Sequence, residues 1–123
     1  MNEMSEKITL VERDLASNKG PLNLFAVLER QDVVGRWDVV VSAPWAKQDK
    51  ETLKEIADAI RRHLSPSDMT NVARIVVLLP GDEPVRSLND KYDVEHDRVE
   101  LDAPERFGLP ATHGYIVTSR SAA

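Results

Sequence analysis

Two strand-like segments follow one another early in the chain, LNLFAVLER over residues 22–30 and RWDVVVS over residues 36–42. Successive side chains of a strand point to opposite faces of a sheet, and here both faces carry apolar residues. A strand with two apolar faces is typical of a sheet that is covered on both sides. This requirement limits the folds open to the chain more than any other feature of its sequence.

We expect the two segments to pair as an antiparallel hairpin, with QDVVG at residues 31–35 as the turn. The register has to keep each apolar set together, because a slip of one residue would move every side chain to the other face. The partners predicted on this basis are Val27 with Val39, Phe25 with Val41, Ala26 with Val40 and Glu29 with Trp37.

The remaining secondary structure follows from the spacing of apolar residues. This spacing predicts helices over about residues 4–17, 49–64 and 83–92, and strands over residues 73–79, 98–102 and 115–120. The resulting order of elements is α-β-β-α-β-α-β-β. We therefore predict one α+β domain over residues 1–123, with a mixed, mostly antiparallel sheet of about five strands and helices packed on it.

The last two strands are predicted to pair with one apolar face and one solvent-facing face. The partners on the apolar face would be Leu101 with Tyr115 and Val99 with Val117. Residues 103–114 between them are interrupted by proline and glycine and are expected to form a loop. Within this loop, Phe107 and Leu109 either fold back on the core or make an exposed contact.

The composition argues against several classes of function. The chain of 123 residues has no cysteine, which excludes disulfides, cysteine-based zinc sites and a thiol nucleophile. A net charge of −5 argues against binding along a nucleic-acid backbone, which needs a clustered basic surface. No stretch is apolar over a membrane-spanning length, and the first residues lack the pattern of a signal peptide. We expect a soluble, cytoplasmic protein of bacterial type.

Known motifs for catalysis or cofactor binding do not fit the sequence. The five glycines are too scattered for a phosphate-binding loop. Asp93, Glu95 and Asp97 match the start of a calcium-binding loop. Arg98 and Pro104, however, occupy the two positions where that loop needs glycine and glutamate. We therefore predict no resident cofactor and no metal.

Histidines and paired acids are the other candidates for chemistry. His96 and His113 would share a metal ion only if they lay close together, and the predicted pairing puts them at opposite ends of the last hairpin. The positive charge of protonated His63 is expected to interact favourably with the partial negative charge at the carboxyl end of its helix. Glu29 and Asp38 lie on adjacent predicted strands but lack the nearby lysine of a metal-dependent nuclease.

One edge of the predicted sheet is the best candidate for a ligand site. The segment between the strands at 36–42 and 73–79 is long enough for a βαβ unit, in which both strands end at the same edge. Ligands of α/β sheets bind at such carboxyl ends. The residues gathered there would be Ser42, Trp45, Lys47, Asp82 and Glu83. The alternative is structural, with Trp45 packing over the start of a helix.

The apolar surface of the first forty residues leads to a different functional prediction. The helix at 49–64 can cover one face of the sheet, and the first helix has only a narrow apolar stripe for the rest. Uncovered apolar surface would predict a homodimer or another protein partner, whereas a sufficient first helix would give a three-layer monomer. The candidate interaction residues are Met4, Ile8, Val11, Phe25, Trp37 and Phe107.

Two functions therefore remain open from the sequence. The first is a non-catalytic protein-interaction module that self-associates or binds a protein partner. The alternative is a small enzyme or ligand-binding domain with a pocket formed by the loops at 42–47 and 80–83.

Overall fold

A computed structural model describes residues 2–30, 35–101, 103–109 and 111–120, with side chains from residue 6 onward and without that of Thr112. The elements are α1 (Asn2–Lys19), β1 (Leu24–Arg30), β2 (Trp37–Ser42), α2 (Lys50–His63), α3 (Pro66–Met69), β3 (Val72–Val77), α4 (Glu83–Lys91), β4 (Val99–Leu101), a short 3-10 helix (Pro104–Phe107) and β5 (Ala111–Ser119).

The strands form one five-stranded sheet in the order β3-β2-β1-β5-β4. The pair β2–β3 is parallel, and the pairs β1–β2, β1–β5 and β4–β5 are antiparallel. The predicted α+β class and the five strands are confirmed, and the sheet is mixed. β1 lies in the middle of the sheet, which explains why its sequence is apolar on both faces.

The opening hairpin has the predicted register. Val27 pairs with Val39 and Phe25 with Val41, so one face of the hairpin collects valine and aromatic side chains. The predicted pairs of Ala26 with Val40 and of Glu29 with Trp37 are also present. Residues 31–34 of the predicted turn lie outside the described part of the chain.

Helices α1 and α2 cover the face of the sheet that carries Phe25 and Trp37. α1 contributes Ile8, Val11 and Leu15, which are buried at the predicted spacing. α2 begins after Asp49, whose carboxylate accepts the backbone N–H of Thr52 at 2.8 Å, the usual capping interaction at a helix start. Ile56 and Ile60 complete this layer from α2. No helix in the described ranges has the length and apolar character needed to cross a membrane.

A cluster of charged side chains joins α1 to α2. Arg62 Nε donates to Asp14 Oδ2 at 3.0 Å, and His63 Nε2 lies 2.9 Å from the same oxygen. The hydrogen bond from the Arg62 guanidinium holds the pKa of Asp14 below its usual value. His63 therefore contacts a neighbouring helix in addition to lying in the last turn of its own.

The opposite face of the sheet is covered by α4 and by the segment that follows it. Val85 and Leu88 of α4 pack on Leu24, Ala26 and Val40. The remaining cover comes from residues after α4, among them Val94, Phe107 and Leu109. Phe107 and Leu109 of the predicted proline- and glycine-containing loop thus fold back on the core, which is one of the two arrangements predicted for them.

The expectation of uncovered apolar surface around the opening hairpin is wrong. Every residue of β2 is buried within the single chain, and β1 is buried from Leu24 to Leu28. The reason is that α4 and described residues on either side of β4, among them Val94 and Leu109, supply the second layer, so α1 does not have to cover both faces. Of the candidate interaction residues, four are core (Ile8, Val11, Phe25, Trp37), Phe107 packs half-buried on the second layer, and the side chain of Met4 lies outside the description.

The predicted register of the last hairpin is wrong by one residue. Leu101 lies opposite Gly114 and Val99 opposite Ile116. Tyr115 and Val117 instead face the layer of α1 and α2. The prediction treated this hairpin as having a solvent-facing side, but β5 lies between β1 and β4, and the sheet is covered on both faces. Its residues therefore alternate between two apolar layers.

β5 also begins earlier than predicted, at Ala111 instead of residue 115. Its first residues pair with the end of β1, and Leu28 lies opposite Gly114. A Cβ atom built on Gly114 would lie 2.5 Å from the backbone oxygen of Val27, closer than atoms pack. Glycine at this position therefore allows β1 and β5 to approach each other closely. This close backbone contact explains why a glycine occurs within a strand of the sheet.

Replacing Gly114 by alanine should destabilise the fold, because the nearest atom that the Cβ would meet is a backbone oxygen, which cannot move aside as a side chain can. We expect Gly114→Ala to lower the free energy of unfolding by about 1–3 kcal/mol in chemical denaturation. The matched control is Gly81→Ala, since a Cβ atom there meets nothing within 4 Å. This variant should stay within about 0.5 kcal/mol of the wild type. Equal stability of the two variants would contradict the described β1–β5 register.

Candidate functional site

The predicted ligand edge exists as a feature of the backbone. β2 and β3 are parallel, and the N–H of Leu78 donates to the carbonyl of Val41 at 2.9 Å where the two strands end. The side chain of Gln48, in the loop that follows β2, reaches the end of β3, because its Nε2 donates to the carbonyl of Val77 at 2.8 Å. The predicted βαβ arrangement is therefore present.

The side chains predicted for this edge have separate local roles. The indole N–H of Trp45 donates to the carbonyl of Gly20 at 2.9 Å, so Trp45 contacts the residue that follows α1. Asp82 accepts the backbone N–H of Leu79 at 2.9 Å. Ser42 is fully buried, while Lys47 and Glu83 are exposed. Ligand binding by these five residues stays a prediction.

A fully buried carboxylate on α1 marks a different place in the fold. Glu12 has no exposed surface, although its neighbours along the helix face are the apolar core residues Ile8, Val11 and Leu15. Removing a carboxylate from water costs several kcal/mol unless it is paired and hydrogen-bonded. The carboxylate of Glu12 can therefore be buried here only because other residues form hydrogen bonds with it.

Both oxygens of Glu12 have partners from the last third of the chain. Oε1 lies 2.6 Å from Nδ1 of His96, and Oε2 accepts the hydroxyl of Thr118 at 2.9 Å. The Thr118 oxygen in turn accepts the backbone N–H of His96 at 3.2 Å. The three residues thus form a closed ring of hydrogen bonds between α1, β5 and the segment before β4.

The backbone around His96 is shaped to complete this ring. The chain on either side of it pairs with β5, through Val94 with Ser119 and through the N–H of Asp97 to the carbonyl of Val117. His96 itself has a φ angle of 51°, which is uncommon for a residue other than glycine. Such strained residues are found preferentially at functional sites. Arg13 holds the strained position from outside by donating to the His96 carbonyl at 3.3 Å.

A cavity of about 530 Å³ opens beside this ring of hydrogen bonds. This volume lies within the range of small-molecule sites, roughly 300–1,000 Å³. Its polar wall includes Glu12, His96 and Thr118, and its apolar wall includes Ala16 and Leu22. The cavity therefore combines an apolar surface with a few oriented polar groups, as ligand pockets do.

The outer part of the cavity carries charges of both signs. Glu95 forms an ion pair with Arg120, and Glu95 Oε1 lies 3.7 Å from Nε2 of His96. A separation of 3.7 Å is too long for a hydrogen bond. Because Nδ1 is directed at Glu12, Nε2 is the ring atom of His96 that remains for a ligand. The side chain of His96 is 38% exposed, so a ligand can reach it.

The sequence contained a signal for this site that the helix prediction did not use. Glu12 falls within the apolar stripe of α1, one position after Val11 and three before Leu15. A single carboxylate on the buried face of a helix needs a partner in the fold. The identity of that partner could not be predicted, because His96 is 84 positions away along the chain.

The other histidine of the last hairpin belongs to a different environment. Nδ1 of His113 lies 3.4 Å from Glu29, and its ring packs edge-on against Trp37. His96 and His113 therefore have different carboxylate partners. Across the described ranges, no three histidine, aspartate or glutamate side chains are grouped so that they could hold a metal ion.

Comparison with models of protein families, with curated proteins and with solved structures gives no match to this chain.

The ring of hydrogen bonds predicts the tautomer of His96. In the neutral imidazole, the proton should be on Nδ1, because Glu12 accepts from that atom. Ring ¹⁵N shifts in long-range ¹H–¹⁵N spectra report this directly. In Glu12→Leu the proton should no longer be fixed on Nδ1, whereas Thr118→Val, which keeps Glu12, should retain it. A wild-type ring with its proton on Nε2 would contradict the described contact.

Proposed function

We propose that this protein binds a small organic molecule in the cavity beside Glu12, with His96 Nε2 accepting a hydrogen bond from a hydroxyl or amino group of the ligand. The observation that supports the proposal is a fully buried carboxylate that orients a partly exposed histidine at the wall of a cavity. Buried ionisable groups with a specific partner in a cleft are frequent at functional sites.

The orientation of His96 suits a proton acceptor. A carboxylate at Nδ1 fixes the tautomer in which Nε2 carries a lone pair, and it stabilises the ring if Nε2 then takes up a proton. The same arrangement serves general-base catalysis when a substrate places an acidic proton at Nε2. Binding is the function we propose, and proton abstraction is the chemistry that this geometry makes available to a bound substrate.

The walls of the cavity suggest the shape of the ligand. Ala16, Pro21 and Leu22 offer apolar surface on one side, where an aliphatic or aromatic group gains from burial. The polar group of the ligand would lie toward His96 and Glu95, which both accept hydrogen bonds. A long nucleic-acid backbone is not a ligand that we propose, because the net charge of the chain is −5.

The proposal predicts a preference for a donor group at His96. We suggest ligand-observed NMR with pairs of small aromatic alcohols and their methyl ethers, which differ in having or lacking a hydroxyl proton. Wild-type protein should bind the alcohols about tenfold more tightly, since one hydrogen bond to an oriented acceptor is worth about 1.4 kcal/mol. His96→Asn should remove the preference, and asparagine tolerates the positive φ angle at this position.

The location of binding is tested with a pair of tryptophan variants. Ser17 is exposed and lines the cavity, so Ser17→Trp should block it without disturbing the core. Ser67 is exposed in α3 and does not line the cavity, so Ser67→Trp is the matched control. Binding that survives in Ser17→Trp, or no binding by any alcohol of the series, would contradict the proposal.

A further inference from the structure

β3 is an edge strand with apolar side chains that remain partly exposed. Within the described sheet its neighbour is β2 on one side, and the other side carries no strand. Ile75 and Val76 are only half-buried, and Leu79, just after the strand, is 44% exposed. An edge of this kind presents backbone N–H and C=O groups to which a further strand can pair.

The helix beside this edge presents a basic stripe. Residues three and four apart share one face of a helix, and on α2 this rule groups Lys50, Lys54, Ala57 and Arg61. The acid Glu55 lies on the other side of the helix, where it pairs with Lys19 of α1 at 2.7 Å. Arg61 pairs with Asp58 of the same helix at 2.8 Å and Arg62 pairs with Asp14 of α1, so the unbalanced positive charge of the stripe is that of Lys50 and Lys54.

A groove joins the basic stripe to the edge strand. Lys50, Lys54 and Arg61 line it together with the apolar residues Leu53, Ala57 and Ile75, and its volume is about 450 Å³. Leu53 is 37% exposed, whereas Ile56, Ala59 and Ile60 of the same helix are buried. The groove thus has an apolar floor and carries the positive charges of Lys50 and Lys54, in a protein whose net charge is −5.

We propose that this groove binds an extended acidic peptide segment of a partner protein, which adds to the sheet as a strand beside β3. The backbone of β3 would supply the pairing, and the residues Leu53 and Ile75 would contact apolar side chains of the peptide. The carboxylates of the peptide would lie near Lys50 and Lys54. This interaction is independent of the cavity at Glu12, which lies between α1 and β5.

Charge also argues against a second copy of the chain as the occupant. A two-fold pair formed through β3 would bring the same stripe from each copy to one shared edge. Lys50 and Lys54 of both copies would then face each other, and like charges at such a contact are unfavourable. An acidic partner would instead neutralise these charges, and the attraction between opposite charges would strengthen its binding.

The proposal is tested by titrating ¹⁵N-labelled protein with a capped seven-residue peptide of alternating glutamate and valine. Backbone signals of β3 and of the Lys50–Arg61 face should shift, and the amides of β3 should exchange more slowly with solvent. Lys50→Glu combined with Lys54→Glu changes two exposed residues and should weaken binding about tenfold or more. A matched control, Lys91→Glu on α4, should leave the affinity unchanged.

Two altered peptides distinguish strand pairing with β3 from charge attraction alone. Lysine in place of each glutamate should abolish binding, and proline in place of the central valine should abolish it as well, because proline cannot donate to a strand. No shift with the acidic peptide, equal binding of the proline peptide, or shifts away from β3 would overturn the proposal. So would a stable dimer of the free protein with β3 amides protected, which would identify a second copy as the occupant.

Discussion

The fold depends on the need to cover both apolar faces of the β1–β2 hairpin. β1 lies at the centre of the sheet, and neither face of it can remain in water without a large hydrophobic cost. One face is covered by α1 and α2, and the other by α4 together with described residues on either side of β4, among them Val94 and Leu109. The last third of the chain therefore contributes both strands of the sheet and part of the layer that covers it.

This construction also determines where a site can form. The faces of the sheet are filled with side chains, so accessible groups occur at the seams between layers and at the edges of the sheet. Glu12 lies at the seam where α1 meets β5 and the chain around His96. The groove at β3 lies at an edge, where the sheet ends beside α2. The two surfaces use different elements, and binding at one leaves the other accessible.

Local sequence patterns predicted the elements and the opening hairpin, because both depend on neighbours along the chain. The alternation in residues 22–42 left one register that kept the apolar sets together, and that register is present. The predicted register of the last hairpin was wrong by one residue. The actual register depends on β1 and on the layer formed by α4, which are distant in sequence. The same limit applies to the site: Glu12 is visible as an acid on an apolar stripe, but its contact with His96 arises only from the tertiary fold.

The most direct test of this account is native-state hydrogen exchange at low and high protein concentration, combined with the molar mass from light scattering. If the hairpin is covered by its own chain, the amides of β1 and β2 should exchange most slowly, through global unfolding. Their protection should be the same at both concentrations, and the molar mass should be 13.8 kDa. Protection of these amides that rises with concentration, together with a doubled mass, would show that a companion chain covers the hairpin and would contradict the account.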